Sequence, residues 1–225
     1  MASFLTIRKR VNYLIGESNY GTRAQNTIIN DHILMAVQDI VRIHPYSWNI
    51  KTSTAGSLST GSFALSADYL PQWHLEDARI VTSSSSDDDY IFTEISVKDR
   101  DQYTTSDYVY WLTYNTSTSV YNFNSLTQSG TVPYYYHFRP ADMSSDSDEC
   151  IVPDGEAVAY LAASKINALD PATKANSDKY LEEAMRRIEN MYVSDLKFGI
   201  NLKSSLDLIG VKNKDGYLFN SQKKS

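Results

Sequence analysis

The sequence predicts an α+β protein: a four-helix bundle body, an inserted antiparallel β-sandwich or small barrel, and an extended C-terminal arm. Three observations predict it. Apolar residues recur at helical spacing before residue 45 and again between 153 and 192. Between 50 and 149, Ser, Thr, Tyr, Asp and Gly dominate, and short β-favouring runs alternate with turn signals. After 193, apolar residues mix with lysines, and Gly199, Gly210 and Gly216 interrupt any long helix. The body is therefore discontinuous (1–49 and 150–193), split by the insertion 50–149 and followed by the arm 194–225. The ends of the β part must lie close together if the four helices pack as one bundle.

Taken in order, Phe4, Ile7, Val11, Leu14 and Ile15 predict a helix over 4–15, ended by Gly16. Ile29, Ile33, Ala36, Val37, Ile40 and Val41 form one stripe of a helix over 23–44. Pro45 stops it, because proline lacks the N–H and clashes with the preceding turn. His44-Pro45-Tyr46-Ser47-Trp48 makes an aromatic corner. Strands are predicted at Lys51–Leu58, Ser62–Leu65, Trp73–Thr82, Tyr90–Val97, Tyr108–Tyr114, Val120–Phe123 and Val132–Phe138. Ser83–Asp89 reads as a hairpin tip, 96–103 as one helical turn between strands, and 115–119 as a turn.

Pro153 suits the first turn of a third helix, with Asp154 and Glu156 at its positive end. Asp170-Pro171 breaks that helix. Asn176 or Ser177 caps a fourth, which runs to about Tyr192 with Tyr180, Leu181, Ala184, Ile188 and Met191 as its stripe. In the arm, Phe198, Ile200, Leu202, Leu206, Leu208, Ile209 and Phe219 have no evident place in the chain's own core. They are candidate docking residues for a neighbouring protein.

Composition narrows the classes. The chain has 225 residues, enough for a sizeable core, and a net charge of −6, which is no nucleic-acid footprint. Cys150 is alone, so no internal disulfide forms and no Cys-x-x-Cys is available for zinc or redox work. The N-terminus lacks a signal-peptide core, and no apolar run approaches a membrane span. The expected setting is a cytosol, or release from the cell by lysis. Seventeen tyrosines against seven phenylalanines suit either half-buried strand faces or a large contact surface, since the ring packs while the hydroxyl stays wet.

Catalytic and metal signatures are missing. His32, His44, His74 and His137 show no ligand spacing. Asp87-Asp88-Asp89 and Asp146-Ser147-Asp148-Glu149 do not follow a calcium-loop pattern. Gly-x-Ser-x-Gly, P-loop and Gly-x-Gly-x-x-Gly motifs do not occur. Glu76 and Asp77 are adjacent, and on a strand they face opposite sides, a poor geometry for paired acid–base work. The expectation is a protein with no catalytic, cofactor-binding or metal-binding residues. Tyr134-Tyr135-Tyr136-His137-Phe138, with Tyr108, Tyr110, Trp111 and Tyr114, reads either as packed strands or as a platform. Tyr110, Trp111, Tyr134 and Tyr136 are its candidate contact residues.

The order of elements resembles the head–tail connector (adaptor) proteins of tailed bacteriophages. The residues that carry the resemblance are Ile40-Val41-Arg42-Ile43-His44-Pro45-Tyr46-Ser47-Trp48-Asn49, the strand opening Lys51-Thr52, and Phe63-Ala64-Leu65-Ser66-Ala67-Asp68-Tyr69-Leu70. Ile151-Val152-Pro153 and the helix pair over 157–192 match the closing half. Ser66 stands where proline is common in that family. The resemblance covers roughly residues 20–192, and the β insertion looks most like the short-tailed (podovirus-like) type. It implies a virion neck protein assembled in the host cytoplasm: a homo-oligomeric ring, usually of twelve copies, beneath the portal protein. DNA passes through its channel without sequence-specific binding. The arm reaches the portal, and the β part faces the tail tube or nozzle and the fibres. It implies no cofactor and no membrane partner. The competing readings are a carbohydrate- or receptor-binding module built on the aromatic β region, and a cell-wall hydrolase.

Overall fold

The computed structural model describes residues 1–16, 27–53, 56–75, 78–80, 90–127, 130–169 and 171–208, with side chains described except at 79–80 and 198–208. Among them are four α-helices: α1 (Phe4–Leu14), α2 (Thr27–Ile43), α3 (Gly155–Asn167) and α4 (Lys174–Leu208). Ser3 caps α1, its Oγ accepting from Thr6 N at 3.3 Å. Phe4, Ile7 and Val11 face the core. On α2 the buried stripe is the one its spacing predicts: Ile29, Ile33, Ala36, Val37, Ile40 and Val41.

Helix α3 packs against all three others. Its sequence permits this because Ala157, Ala159, Ala162 and Ala163 are fully buried and let neighbouring backbones approach. Ile33, Ile40 and Ile188, with no exposed surface, close the gaps around it. Each such side chain contributes about 1.5–3 kcal/mol of burial. Asp154 is the N-cap of α3, accepting from Glu156 N at 2.9 Å and Ala157 N at 3.3 Å. Pro153 thus lies just before the helix, not in its first turn.

Two differences from expectation concern α4. It starts at Lys174, not after a cap at Asn176 or Ser177. Thr173 O already accepts from Asn176 N and Ser177 N, and Ser177 is buried with its hydroxyl 3.4 Å from that of Ser164. The helix also runs past Tyr192 and through Gly199 to Leu208, so 194–208 is helical and not an extended arm. A glycine inside a helix costs only about 1 kcal/mol, too little to end one whose other turns are in place. Thirty-five residues give α4 a length of about 50 Å, against about 20 Å for the 13 residues of α3.

The described residues of 50–138 hold ten short strands: β1 (Ile50–Thr52), β2 (Gly56–Ser57), β3 (Ser62–Ala64), β4 (Arg79–Ile80), β5 (Tyr90–Ile91), β6 (Thr93–Glu94), β7 (Val109–Asn115), β8 (Val120–Ser125), β9 (Thr131–Val132) and β10 (Tyr135–His137). The order β3–β8–β7–β6 forms a four-stranded sheet, while β1–β10, β2–β9 and β4–β5 form two-stranded ladders. Among the described residues no barrel closes, and β6–β7 is parallel, so the insertion is not wholly antiparallel. Of the strand expected over Trp73–Thr82, the described residues show β4, while 76–77 and 81–82 lie outside them. The helical turn between strands is the 3-10 turn Arg100–Gln102. At the β7–β8 turn Ser119 takes φ 56°, and Asn115 Oδ1 accepts from Ser117 N and Thr118 N. The hairpin tip Ser83–Asp89 lies outside the described residues. Gly56 is required where β2 crosses Phe63: a Cβ there would sit 2.3 Å from the ring.

Two hydrophobic clusters result. One joins the four helices with Tyr46, Met143, Cys150 and Val152. The other lies in the insertion, where Phe123 stacks on Tyr110 and Phe63 and takes the edge of Phe92. Ile151 packs against both.

Candidate assembly surfaces

The root of the insertion is the β1–β10 ladder, where Ile50 pairs with His137 and Lys51 with Tyr136. Asp68 ties this root together. Its carboxylate accepts from Lys51 Nζ at 2.7 Å, from Tyr136 OH at 3.0 Å and from Ser66 Oγ, and its carbonyl accepts from Arg139 N at 2.6 Å. Burial raises the pKa of Asp68, but the hydrogen bonds from Lys51, Ser66 and Tyr136 outweigh it and leave the group below the usual carboxylate value. Lys51 Nζ also lies 3.9 Å over the Phe138 ring. Trp73 Nε1 donates to the Val41 carbonyl at 3.3 Å and links the insertion to α2.

The aromatic corner connects α2 to this root and locks onto α4. Tyr46 is fully buried, stacked on Trp48 at 4.6 Å and edge-on to Tyr192 at 6.0 Å. Burial, then the Glu189 and Asp195 charges, push its phenol up. His44 stacks on Tyr192 at 4.0 Å with parallel planes, and its Nε2 donates to Glu189 at 3.0 Å. Asp195 accepts from Ser47 N at 2.7 Å and from Ser47 Oγ. A cleft of about 400 Å³ opens beside this lock, lined by Trp48 and Asp154 together with Arg187, Met191 and Asp195 of α4. Val193 and Leu196, on the same stretch of α4, are 44% and 47% exposed.

The structure separates the predicted contact residues. Tyr110, Tyr134 and Tyr136 are buried, so they are core residues of the insertion and not a surface platform. Their rings fill the interior while hydroxyls find partners, as Tyr110 OH does on Glu94 at 2.8 Å. Trp111 is half-buried on β7. Among the described residues the exposed tyrosines are Tyr13, Tyr90, Tyr103, Tyr114 and Tyr135, of which Tyr90 stacks on Tyr108. Phe198, Ile200, Leu202, Leu206 and Leu208 fall on the helical end of α4; Ile209 and Phe219 lie outside the described residues. Asp68 and Asp195 were not singled out as site residues by sequence reasoning. Asp68 lies within the motif that carries the family resemblance, and that was the available signal. Cys150 is buried, and burial pushes its thiol up to about 11. Among the described residues, no three His, Cys, Asp or Glu side chains converge on a metal position, and no helix is long and apolar enough to cross a membrane.

The family model of the SU10 adaptor proteins matches residues 2–197 of the chain. The chain belongs to the SU10 adaptor protein family. As a member it is a structural adaptor of a bacteriophage and a component of the virion, a class that works between portal and tail components. No curated protein matches the chain. The SU10 adaptor match ends two residues beyond Asp195, and so takes in the helical body, the insertion and the lock between them, but not the end of α4.

Proposed function

We propose that this adaptor forms a ring between portal and tail, docks on the portal through the distal end of α4 and residues 209–225, and turns the β insertion toward the tail. The observation that carries the reading is the overhang of α4. Its last tie to the body among the described side chains is Asp195 to Ser47, yet the helix continues for 13 more residues. Within that stretch Phe198, Leu202 and Leu206 recur every fourth position, the spacing of a helix-in-groove anchor. Exposed Val193 and Leu196 extend the apolar character back toward the body. A net charge of −6 suits a channel through which DNA slides without being held. Twelve copies, the short-tailed type and the absence of catalysis belong to the same reading.

The test is a chain ending at Lys197, which keeps Asp195 and its staple. Full-length protein is expected to decorate purified portal particles in electron micrographs; the shortened chain is expected to melt at the same temperature and leave the portals bare. Equal decoration by both would remove α4 from the docking role. Purified cell walls are expected not to clear in the presence of the protein.

A further inference from the structure

We infer that the corner at residues 44–49 is a rigid joint, stapled by Asp195, that fixes the direction in which the insertion leaves the bundle relative to the distal half of α4. The inference goes beyond the adaptor reading and stands on the isolated chain.

Three residues of one α4 face, Glu189, Tyr192 and Asp195, together engage His44, Tyr46 and Ser47 of the corner. Spaced i, i+3 and i+6, they lie along the same side of the helix. Glu189 takes the His44 Nε2–H, Tyr192 stacks under the His44 ring and meets the edge of Tyr46, and Asp195 takes both donors of Ser47. Ser47 opens the 3-10 turn Ser47–Asn49, so its N–H is one that the turn itself leaves unpaired. Its capping carboxylate comes from 148 residues away. That turn runs directly into β1 at Ile50, whose pairing with β10 is the root of the insertion.

Hinges are built from loosely packed segments whose backbone dihedrals are free to change. This segment is the reverse. Pro45 fixes one φ, Tyr46 has no exposed surface, and no glycine occurs between His44 and Thr52. The joint therefore carries a displacement of distal α4 to the insertion as a rotation of one body. Because Trp48 and Asp195 both line the neighbouring cleft, a partner side chain seated there touches both halves of the joint.

Spin labels test this in the full chain. One cysteine pair spans the joint (Thr116→Cys on the β7–β8 turn and Lys197→Cys on α4); a second (Asp31→Cys and Glu182→Cys) lies within the helical body. Native Cys150 is fully buried and takes no label. The distance distribution of the joint pair is expected to be narrow, and to broaden about twofold in Asp195→Ala, which removes both bonds to Ser47. Ser47→Ala, which keeps the backbone donor, is expected to broaden it less. The body pair is expected to keep its width in both variants. An unchanged joint pair in Asp195→Ala, or equal broadening of the two pairs, overturns the inference. Either result leaves portal docking, measured separately with the chain ending at Lys197, unaffected.

Discussion

Asp68 shows how one carboxylate holds the insertion to its root. It receives three side-chain donors from β1, from the loop after β3 and from β10, and its pKa is held below the ordinary value. Asp68→Asn removes the charge that Lys51 faces and is expected to cost about 1–2 kcal/mol at pH 7, read by urea denaturation. The pH dependence follows from the sign of the shift. A depressed folded pKa stabilises fully above the unfolded value of about 3.9, and that stability is lost as pH falls through the folded value. The wild-type chain is therefore expected to lose stability more steeply below about pH 4 than Asp68→Asn does. Arg8 and Asp146 give a contrasting case. The Arg8 side chain is 4% exposed, and its guanidinium forks onto Asp146 at 2.9 and 3.0 Å. Asp146→Ala strands a buried charge and is expected to cost about 2 kcal/mol, a value reduced because Asp146 is half-exposed. Arg8→Met removes the charge together with its desolvation and is expected to cost less. Parallel denaturation curves of the two variants give the comparison.

At the scale of elements, α3 decides how tightly the bundle packs. Its alanines have no spare volume, so Ala162→Leu is expected to destabilise by about 2–3 kcal/mol through overpacking. Tyr13→Ala on exposed α1 surface is expected to stay within about 0.5 kcal/mol; thermal melts of both check the pair. The same elements show what the amino-acid order makes legible. The stripe of α2 was readable because one face is buried and the other wet, which imposes a 3.6-residue period. Helix α3 is surrounded by its neighbours, so its period is weak. Leu169, apolar and just before the Asp170-Pro171 break, is 69% exposed beyond the helix end. Gly199 looked like a stop because a local penalty is visible in sequence, whereas the cooperativity that overrides it is not. In the insertion, turns were readable from Asn, Gly and Ser. Strand partners were not, because β1 and β10 stand more than eighty residues apart and no local signal encodes their register. The tyrosines were ambiguous for a related reason. A ring with a polar tip suits a core that offers an acceptor as well as it suits a surface, and Glu94 and Asp68, the acceptors for Tyr110 and Tyr136, come from distant segments.

At the scale of the whole molecule, the two hydrophobic clusters raise the question of whether the body depends on the insertion to fold. Among the described residues, the helical cluster draws none from between Trp48 and Met143, and the insertion's cluster draws none from any helix. Among the described residues, ties across the boundary include Trp73 to the Val41 carbonyl, Phe138 N to the Asn49 carbonyl, and the shared contact of Ile151. Ile50 and His137 are register partners, so their backbones lie about 5 Å apart, a span that a two-residue Asn-Gly turn closes. A chain of residues 1–50, Asn-Gly and 137–197 retains the aromatic corner, the Asp195 staple, the Arg8–Asp146 fork and every residue of the helical cluster. It is expected to show helical circular dichroism and a single cooperative melt. The melting temperature should be below that of the full chain, since the Trp73 bond is gone and Phe138, nearly buried in the insertion's core, becomes exposed. Loss of the cooperative transition would mean that the body folds only against the insertion. Retention would mean that the helices form an autonomous base, with the aromatic corner rather than a shared core setting how the insertion is carried.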